Sequence, residues 1–179
     1  MKTMTAEAVK PARASQALVG DAGYEVVDFG PFDNNRNRLS AMNDRGQMVG
    51  VSINPASGRI EAFLEAEGKR EPMGTLGGSF SIAHDINNHG EVVGGSLTEG
   101  DENFHGFVYR QNRLHDLNDL LEPGAAGWEL IQALAINNHG EIVAIGSQGG
   151  QDRIVLLRPK TQHKRGANRL RRRPQGKHI

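Results

Sequence analysis

Hydrophobic and polar residues alternate along most of the chain in short runs, the period-two pattern of β-strands with one buried face. In one such run, from Ser81 to Asn87, Ile82, His84 and Ile86 alternate with Ser81, Ala83 and Asp85. The same stretch of chain predicts further strands at residues 91–97, 105–110 and 113–119, with a loop at 98–104. No segment of the body combines a 3.6-residue period with capping residues, so the pattern predicts strands and no helix there.

A turn sequence recurs between these strands. The stretch Asn87-Asn88-His89-Gly90-Glu91 is repeated almost unchanged at residues 137–141, and residues 43–47 hold a diverged copy, Asn43-Asp44-Arg45-Gly46-Gln47. The first asparagines of the copies are separated by 44 and 50 residues. Repeats of this length are typical of propellers and solenoids, so three copies of the turn indicate three copies of one unit.

The turn residues indicate a specific hairpin. Asparagine begins a turn by hydrogen-bonding its own backbone two residues on, and glycine three residues later accommodates the positive φ angle that closes the hairpin. A second regularity follows each turn, where the next strand has a small residue: Gly50, Gly94 and Ala144. Small residues at this place predict the close approach of another sheet or backbone.

With these motifs the chain resembles the bacterial HAF repeat family, whose pattern runs Leu-Gly-Gly, Ser-x-Ala, Ile-Asn-x-x-Gly-x-Val-Val-Gly-x-Ser and then His-Ala-Phe-Leu. The matching positions are Leu76-Gly77-Gly78, Ser81, Ala83, Ile86-Asn87, Gly90, Val92-Val93-Gly94 and Ser96. The name-giving triplet is altered to Glu61-Ala62-Phe63, His105-Gly106-Phe107 and Arg153-Ile154-Val155. The resemblance covers residues 24–159 and implies stacked or propeller-like β units, an extracellular protein and no particular reaction.

We therefore predict an all-β domain over residues 23–159, built as three four-stranded antiparallel repeat units arranged like propeller blades. A β-trefoil, which also has three units of four strands, is the alternative. In the propeller reading, a strand at 24–30 pairs with a strand at 152–158 and completes the last unit. Exposed end strands of an open arc favour a homo-oligomer.

Charge separates this body from the ends of the chain. Residues 160–179 contain eight Lys and Arg and no acid, which leaves the remainder with 13 Lys and Arg against 21 Asp and Glu, a net charge of −8. An acidic body is not expected to bind nucleic acid. We expect residues 1–22 to be a flexible extension and residues 160–179 to be a disordered basic tail. A polyanion contact is a hypothesis for the tail only, through Arg169, Arg171, Arg172 and Arg173.

The chain has no cysteine, no apolar run as long as a signal peptide and no stretch that predicts a membrane span. From its own residues we expect a protein that is not exported, in contrast to the extracellular location that the resemblance implies.

Comparison among the copies argues against a catalytic or ligand-binding role for the most conspicuous residues. His89 and His139 correspond to Arg45, so we expect them to be solvent-facing turn residues. Glu91 corresponds to Gln47, which argues against acid–base catalysis at that position. We predict no catalytic residue, no metal site and no cofactor.

A binding site is instead expected where the repeat is broken. The candidate residues are Trp128 in the insertion 118–130, the edge residues His84 and Asp85, and His105; the acidic loop 98–104 also departs from the repeat. For Trp128 a ligand platform competes with a packing role, and for each histidine a hydrogen-bonded structural role is the other reading. We predict a non-enzymatic binding or scaffold module for a protein or glycan. The alternatives are a structural remnant or fragment of a longer propeller protein and a glycan-binding, trefoil-like module.

Overall fold

The computed structural model describes residues 24–26, 28 and 37–160 of the 179-residue chain. The described residues are all-β, as predicted. They form eleven strands: β1 (Asn37–Met42), β2 (Met48–Ile53), β3 (Ile60–Ala66), β4 (Lys69–Gly74), β5 (Gly77–Ile86), β6 (Val92–Thr98), β7 (Phe104–Arg110), β8 (Arg113–Asp116), β9 (Trp128–Ile136), β10 (Ile142–Gln148) and β11 (Gln151–Leu157).

Helical structure in this part of the chain is limited to three short 3-10 turns, Glu99–Asp101, Asn118–Leu120 and Pro123–Ala125. None of the helices in the described ranges has the length and apolar character needed to cross a membrane. The predicted strand at 113–119 is too long, because β8 ends at Asp116 and a 3-10 turn follows.

The strands fall into three groups along the chain, which we call group one (β1–β4), group two (β5–β8) and group three (β9–β11). Within each group, every strand runs antiparallel to the strand that precedes it. Groups one and two belong to one eight-stranded sheet, but they are joined only by a parallel pairing of Ile60 with Phe80. Group three is a separate three-stranded sheet in the order β11-β10-β9.

This topology excludes the trefoil alternative. A β-trefoil is built around a closed barrel of strands, whereas the strands of residues 37–160 form two sheets that do not close. Group three has three strands within the described residues, one fewer than each of the other groups.

The predicted first strand, 24–30, is not formed where the structure describes it. Residues 24–26 and 28 have no strand conformation, and the side chains of Tyr24 and Val26 are 96% and 89% exposed. The other residues of that prediction lie outside the described part. Among the described strands, β11 pairs with β10 alone, so these residues give no support to pairing of 24–30 with 152–158.

The three hairpin turns have the predicted conformation. Gly46, Gly90 and Gly140 have φ angles of 72°, 80° and 73°, in the left-handed region that glycine adopts without steric cost. In each turn the glycine N–H donates to the backbone carbonyl of the first asparagine, at 3.0 Å. The three turns therefore share one backbone geometry.

The groups lie face to face, and two apolar clusters fill the spaces between them. The first cluster joins groups one and two and contains the buried residues Val49, Ala62, Met73, Ala83, Ile86, Val92 and Phe107. The second joins groups two and three and contains Val93, Val108, Leu117, Leu130, Ala133, Ile136 and Ile142. Successive side chains of a strand point to opposite faces, so Val92 and Val93 of β6 contribute to different clusters.

The two glycines after the turns, Gly50 and Gly94, are explained by contacts within a sheet and not by the predicted stacking of units. A Cβ atom on Gly94 would overlap the carbonyl oxygen of Ile82 in the neighbouring strand β5, where the strand pairing shifts by one residue. A Cβ atom on Gly50 would likewise overlap the carbonyl oxygen of Arg38 in β1. The close approach is therefore within one sheet, at a β-bulge.

The Gly94→Ala substitution is expected to lower the free energy of unfolding by about 3 kcal/mol, because the new methyl group meets backbone that cannot move without disturbing the bulge. Gly124→Ala is the matched control, since a Cβ atom there meets nothing within 4 Å. Urea unfolding of both variants, followed by circular dichroism, measures the difference. Equal stability of the two variants would contradict the bulge explanation.

Candidate functional site

The repeated turns are connected to one another by hydrogen bonds. The Asn43 side-chain amide donates to the backbone carbonyl of Asn87 at 2.9 Å, and the Asn87 amide donates to the carbonyl of Asn137 at 3.1 Å. The second asparagine of the turn adds another bond between turns: the Asn88 backbone N–H donates to Asn138 Oδ1 at 2.8 Å. We call this series the asparagine ladder.

The same asparagines also hold their own turns. Asn87 Oδ1 accepts the backbone N–H groups of His89 and Glu91, both at 3.0 Å, and Asn87 Nδ2 donates to the Glu91 carboxylate at 2.7 Å. His89 and its counterpart His139 are exposed, as predicted. The conspicuous Asn-Asn-His-Gly-Glu sequence therefore connects and closes hairpins.

Two of the predicted binding residues hold backbone or neighbouring side chains in place. Asp85 Oδ2 accepts the backbone N–H of Ile136 in group three at 2.8 Å, and its Oδ1 accepts the N–H of Ile86. His84 Nε2 is 2.5 Å from the Gln132 side-chain nitrogen. Burial, and to a smaller extent the charge of Arg38, lowers the pKa of His84, which favours the neutral imidazole that accepts the Gln132 amide.

His105 lies between two carboxylates at the junction of groups two and three. Its Nδ1 is 2.6 Å from Asp116 Oδ2, and its Nε2 is 3.6 Å from Glu129 Oε1. Asp116 Oδ1 also accepts the backbone N–H of Asn118, at 2.8 Å. The Asn118 side chain in turn bonds to the backbone of Leu130 in β9. This network fixes the start of the insertion against group three.

Trp128 begins β9 and is half-buried. Its ring lies over Gly146 of β10, where a Cβ atom would be 3.1 Å from the ring. The structure therefore places the only tryptophan of the chain against the sheet. It does not bring Trp128 together with His84.

The acidic loop 98–104 is closed by hydrogen bonds within group two. Asp101 accepts the backbone N–H and the hydroxyl of Ser79, both at 2.7 Å, and these bonds lower the pKa of the Asp101 carboxyl. In the described ranges, no three His, Asp or Glu side chains are placed so that they could hold a metal ion. The predicted polyanion residues Arg169, Arg171, Arg172 and Arg173 lie outside the described residues.

A groove of about 930 Å³ lies between groups two and three, at the turn end of the strands. Its apolar lining includes Val108, Leu117, Leu120, Leu121, Ile136, Ile142 and Leu157. Its polar lining includes His89, Glu91, Arg110, Glu122, His139, Arg158 and Lys160. An apolar floor with a few polar groups around it is the usual composition of a ligand site.

Ion pairs occupy part of this rim. Arg158 donates to Glu141 at 3.0 Å, and Lys160 lies 2.8 Å from Glu122. The hydrogen bonds from Asn137 and Arg158 lower the pKa of the Glu141 carboxyl. The charges of the rim are therefore largely balanced, which leaves the apolar floor as the dominant feature.

A smaller hollow adjoins the groove and shares His89, Glu91 and Arg110 with it. His115 also lines this hollow, and its Nε2 atom is buried without a hydrogen-bond partner among the described residues. A buried ring nitrogen without a partner costs free energy unless another group reaches it. A ligand that spans the groove and the hollow is one such group.

The insertion 118–130 contributes residues to the groove, but they are not the residue named from the sequence. The expectation of a site at 118–130 rested on Trp128, whereas Leu120 and Leu121 line the groove. The signal in the sequence was the apolar pair itself, in a segment without strand alternation. In the structure, Leu120 is 44% exposed.

Comparison with known proteins adds no relative: no family model, no curated protein and no solved structure matches this chain.

The asparagine ladder predicts unequal effects at two residues that are equivalent in sequence. Asn87→Ala and Asn137→Ala each remove the bonds within one turn, but only Asn87 also donates to the next turn. We expect Asn87→Ala to lower the free energy of unfolding by about 1 kcal/mol more than Asn137→Ala, the usual net value of one hydrogen bond. Urea denaturation of protein diluted until sedimentation shows single chains measures both losses, and equal losses would contradict the ladder.

Proposed function

We propose that this protein is a non-enzymatic binding module of propeller-like β units, and that the groove between groups two and three binds a segment of a partner protein. The observation that carries the proposal is the groove itself, an apolar surface of about 930 Å³ with hydrogen-bonding groups at its rim. Its volume lies within the usual range of ligand sites, roughly 300–1,000 Å³.

The unit arrangement is supported by matching residue pairs in the three groups. Val49 pairs with Leu64 in group one, Val93 with Val108 in group two and Val143 with Leu156 in group three. The turn geometry is the same in all three groups, and the asparagine ladder connects each turn to the next. These correspondences favour three copies of one blade-like sheet, of which the third has three strands within the described residues.

The chemistry of the groove favours a peptide segment over a glycan. Apolar side chains make up its floor, whereas Trp128, the candidate ligand platform, is not among the lining residues. The adjoining hollow offers Arg110 and the unpartnered His115 Nε2. The ligand that fits is therefore an extended segment with an apolar side chain next to a hydrogen-bonding group.

The side chains that most resemble catalytic groups have structural partners, which supports a non-enzymatic role. His105 is held by Asp116, Asp85 binds the Ile136 backbone, and Glu91 binds Asn87 within its turn. General acid–base catalysis requires such a group to reach a substrate proton, whereas these groups are already hydrogen-bonded within the protein.

Selection from a library of displayed peptides against the full chain, followed by titration of the selected peptides, tests the proposal. We expect Leu120→Asp to weaken binding at least tenfold, because it places a charge on the apolar lining. Ile53→Asp is the matched control, since Ile53 is 36% exposed but is not a groove residue. Selected peptides that bind both variants as tightly as the unchanged chain, or a library that yields no binder, would contradict the groove as the site.

A further inference from the structure

Each junction between groups has the same two surfaces. We call the face of a group that meets the following group its back face, and the face that meets the preceding group its front face. The back face of group one has two cross-strand pairs, Val49–Leu64 and Val51–Ala62, and the back face of group two has Val93–Val108 and Gly95–Gly106. Burial of these pairs is nearly complete: Val49, Ala62 and Val93 are 0% exposed and Val108 is 3% exposed.

The back face of group three has the corresponding pairs, and no other described group covers them. The pairs are Val143–Leu156 and Ile145–Ile154. Ile154 is 69% exposed and Leu156 is 48% exposed. The equivalents of Leu156, Leu64 and Val108, lie in the apolar clusters or against them, and the equivalents of Ile154 are the buried small residues Ala62 and Gly106. Large apolar side chains grouped on one exposed face mark an interaction surface.

Part of the front face of group one has the complementary exposure, beside Phe63, which is buried beneath Arg70. Ala83 and Ile86 of group two, and Ala133 and Ile136 of group three, are buried front-face residues. Their equivalents by strand pairing in group one are Leu39 and Met42, which are 45% and 67% exposed.

The asparagine ladder ends at the same two surfaces. Asn43 and Asn87 are 7% and 3% exposed, whereas Asn137 is exposed and its side-chain amide donates only within its own turn among the described residues. The acceptor that would continue the ladder is the carbonyl of another copy of this turn. In group one the equivalent acceptor is the backbone carbonyl of Asn43, which receives no ladder bond from another described turn.

We propose that two copies of this chain associate head to tail, with the back face of group three of each copy covered by the front face of group one of the other. A back face meets a front face at both junctions within one chain, so the proposed contact pairs the same two kinds of face. Two such contacts join two copies into a closed ring of six groups, a number within the usual range of roughly 4–8 propeller blades. The inference rests on how the groups are stacked and does not depend on the ligand of the groove.

Sedimentation velocity of the full chain over a range of concentrations gives the first test. The expected result is a dimer with twice the 19.4 kDa mass of one chain. A monomer at every concentration up to about 0.5 mM, where even a millimolar interaction becomes visible, would overturn the proposal. An assembly larger than two copies would overturn the closed ring.

Two charged variants then identify the contact. Ile154→Asp damages the back face and Met42→Asp damages the front face, and each alone is expected to weaken association at least tenfold. A mixture of the two variants is expected to restore a dimer, because the intact back face of one meets the intact front face of the other. Ile53→Asp is the control and is expected to leave association unchanged, because Ile53 lies on neither of these two outer surfaces.

The mixing result separates this contact from a symmetric one. If two back faces met each other, Met42→Asp would remain a dimer and mixing with Ile154→Asp would restore nothing, which would overturn the head-to-tail contact. Peptide binding at the groove is read from a separate titration. Loss of association with intact peptide binding, or the reverse, therefore shows which of the two proposals fails.

Discussion

A β-sheet that is apolar on both faces has to be covered on both faces, and this requirement determines the structure. Strand β6 shows it most directly, because adjacent residues Val92 and Val93 are both 0% exposed and belong to different apolar clusters. Burying a valine side chain contributes about 2 kcal/mol. Group two meets the requirement with a neighbour on each side. Within the described residues, groups one and three each have only one neighbouring group, and the outer surface of each has exposed apolar side chains.

Hydrogen bonds give the stack its alignment. Apolar contacts are non-directional and permit sliding, whereas each step of the asparagine ladder joins one defined amide to one defined carbonyl. Asp85 adds a second alignment through its bond to the Ile136 backbone. These bonds hold the turn ends of the groups together. The groove forms beside them, where the insertion after β8 leaves the space between groups two and three partly open.

Local features of the fold followed from the sequence, and contacts distant along the chain did not. The Asn-x-x-Gly turns and the alternating strands depend on neighbouring residues, so their positions were predicted closely. Strand β8 was predicted three residues too long, because Leu117 is buried in the cluster with group three and Asn118 bonds to Leu130. The contacts of Asp85 and Asn118 depend on the backbone of group three. No local pattern in the sequence specifies those partners.

The central claim, that three equivalent units are stacked in chain order, is tested most directly by distances between the turns. Arg45, His89 and His139 are exposed and equivalent, and the chain has no cysteine, so pairs of introduced cysteines place spin labels at these sites alone. Pulsed electron paramagnetic resonance on labelled chains diluted with unlabelled chains measures the three distances. The stack predicts that 45–89 and 89–139 are similar and that 45–139 is distinctly longer. Three equal distances, as threefold symmetry would give, would contradict it.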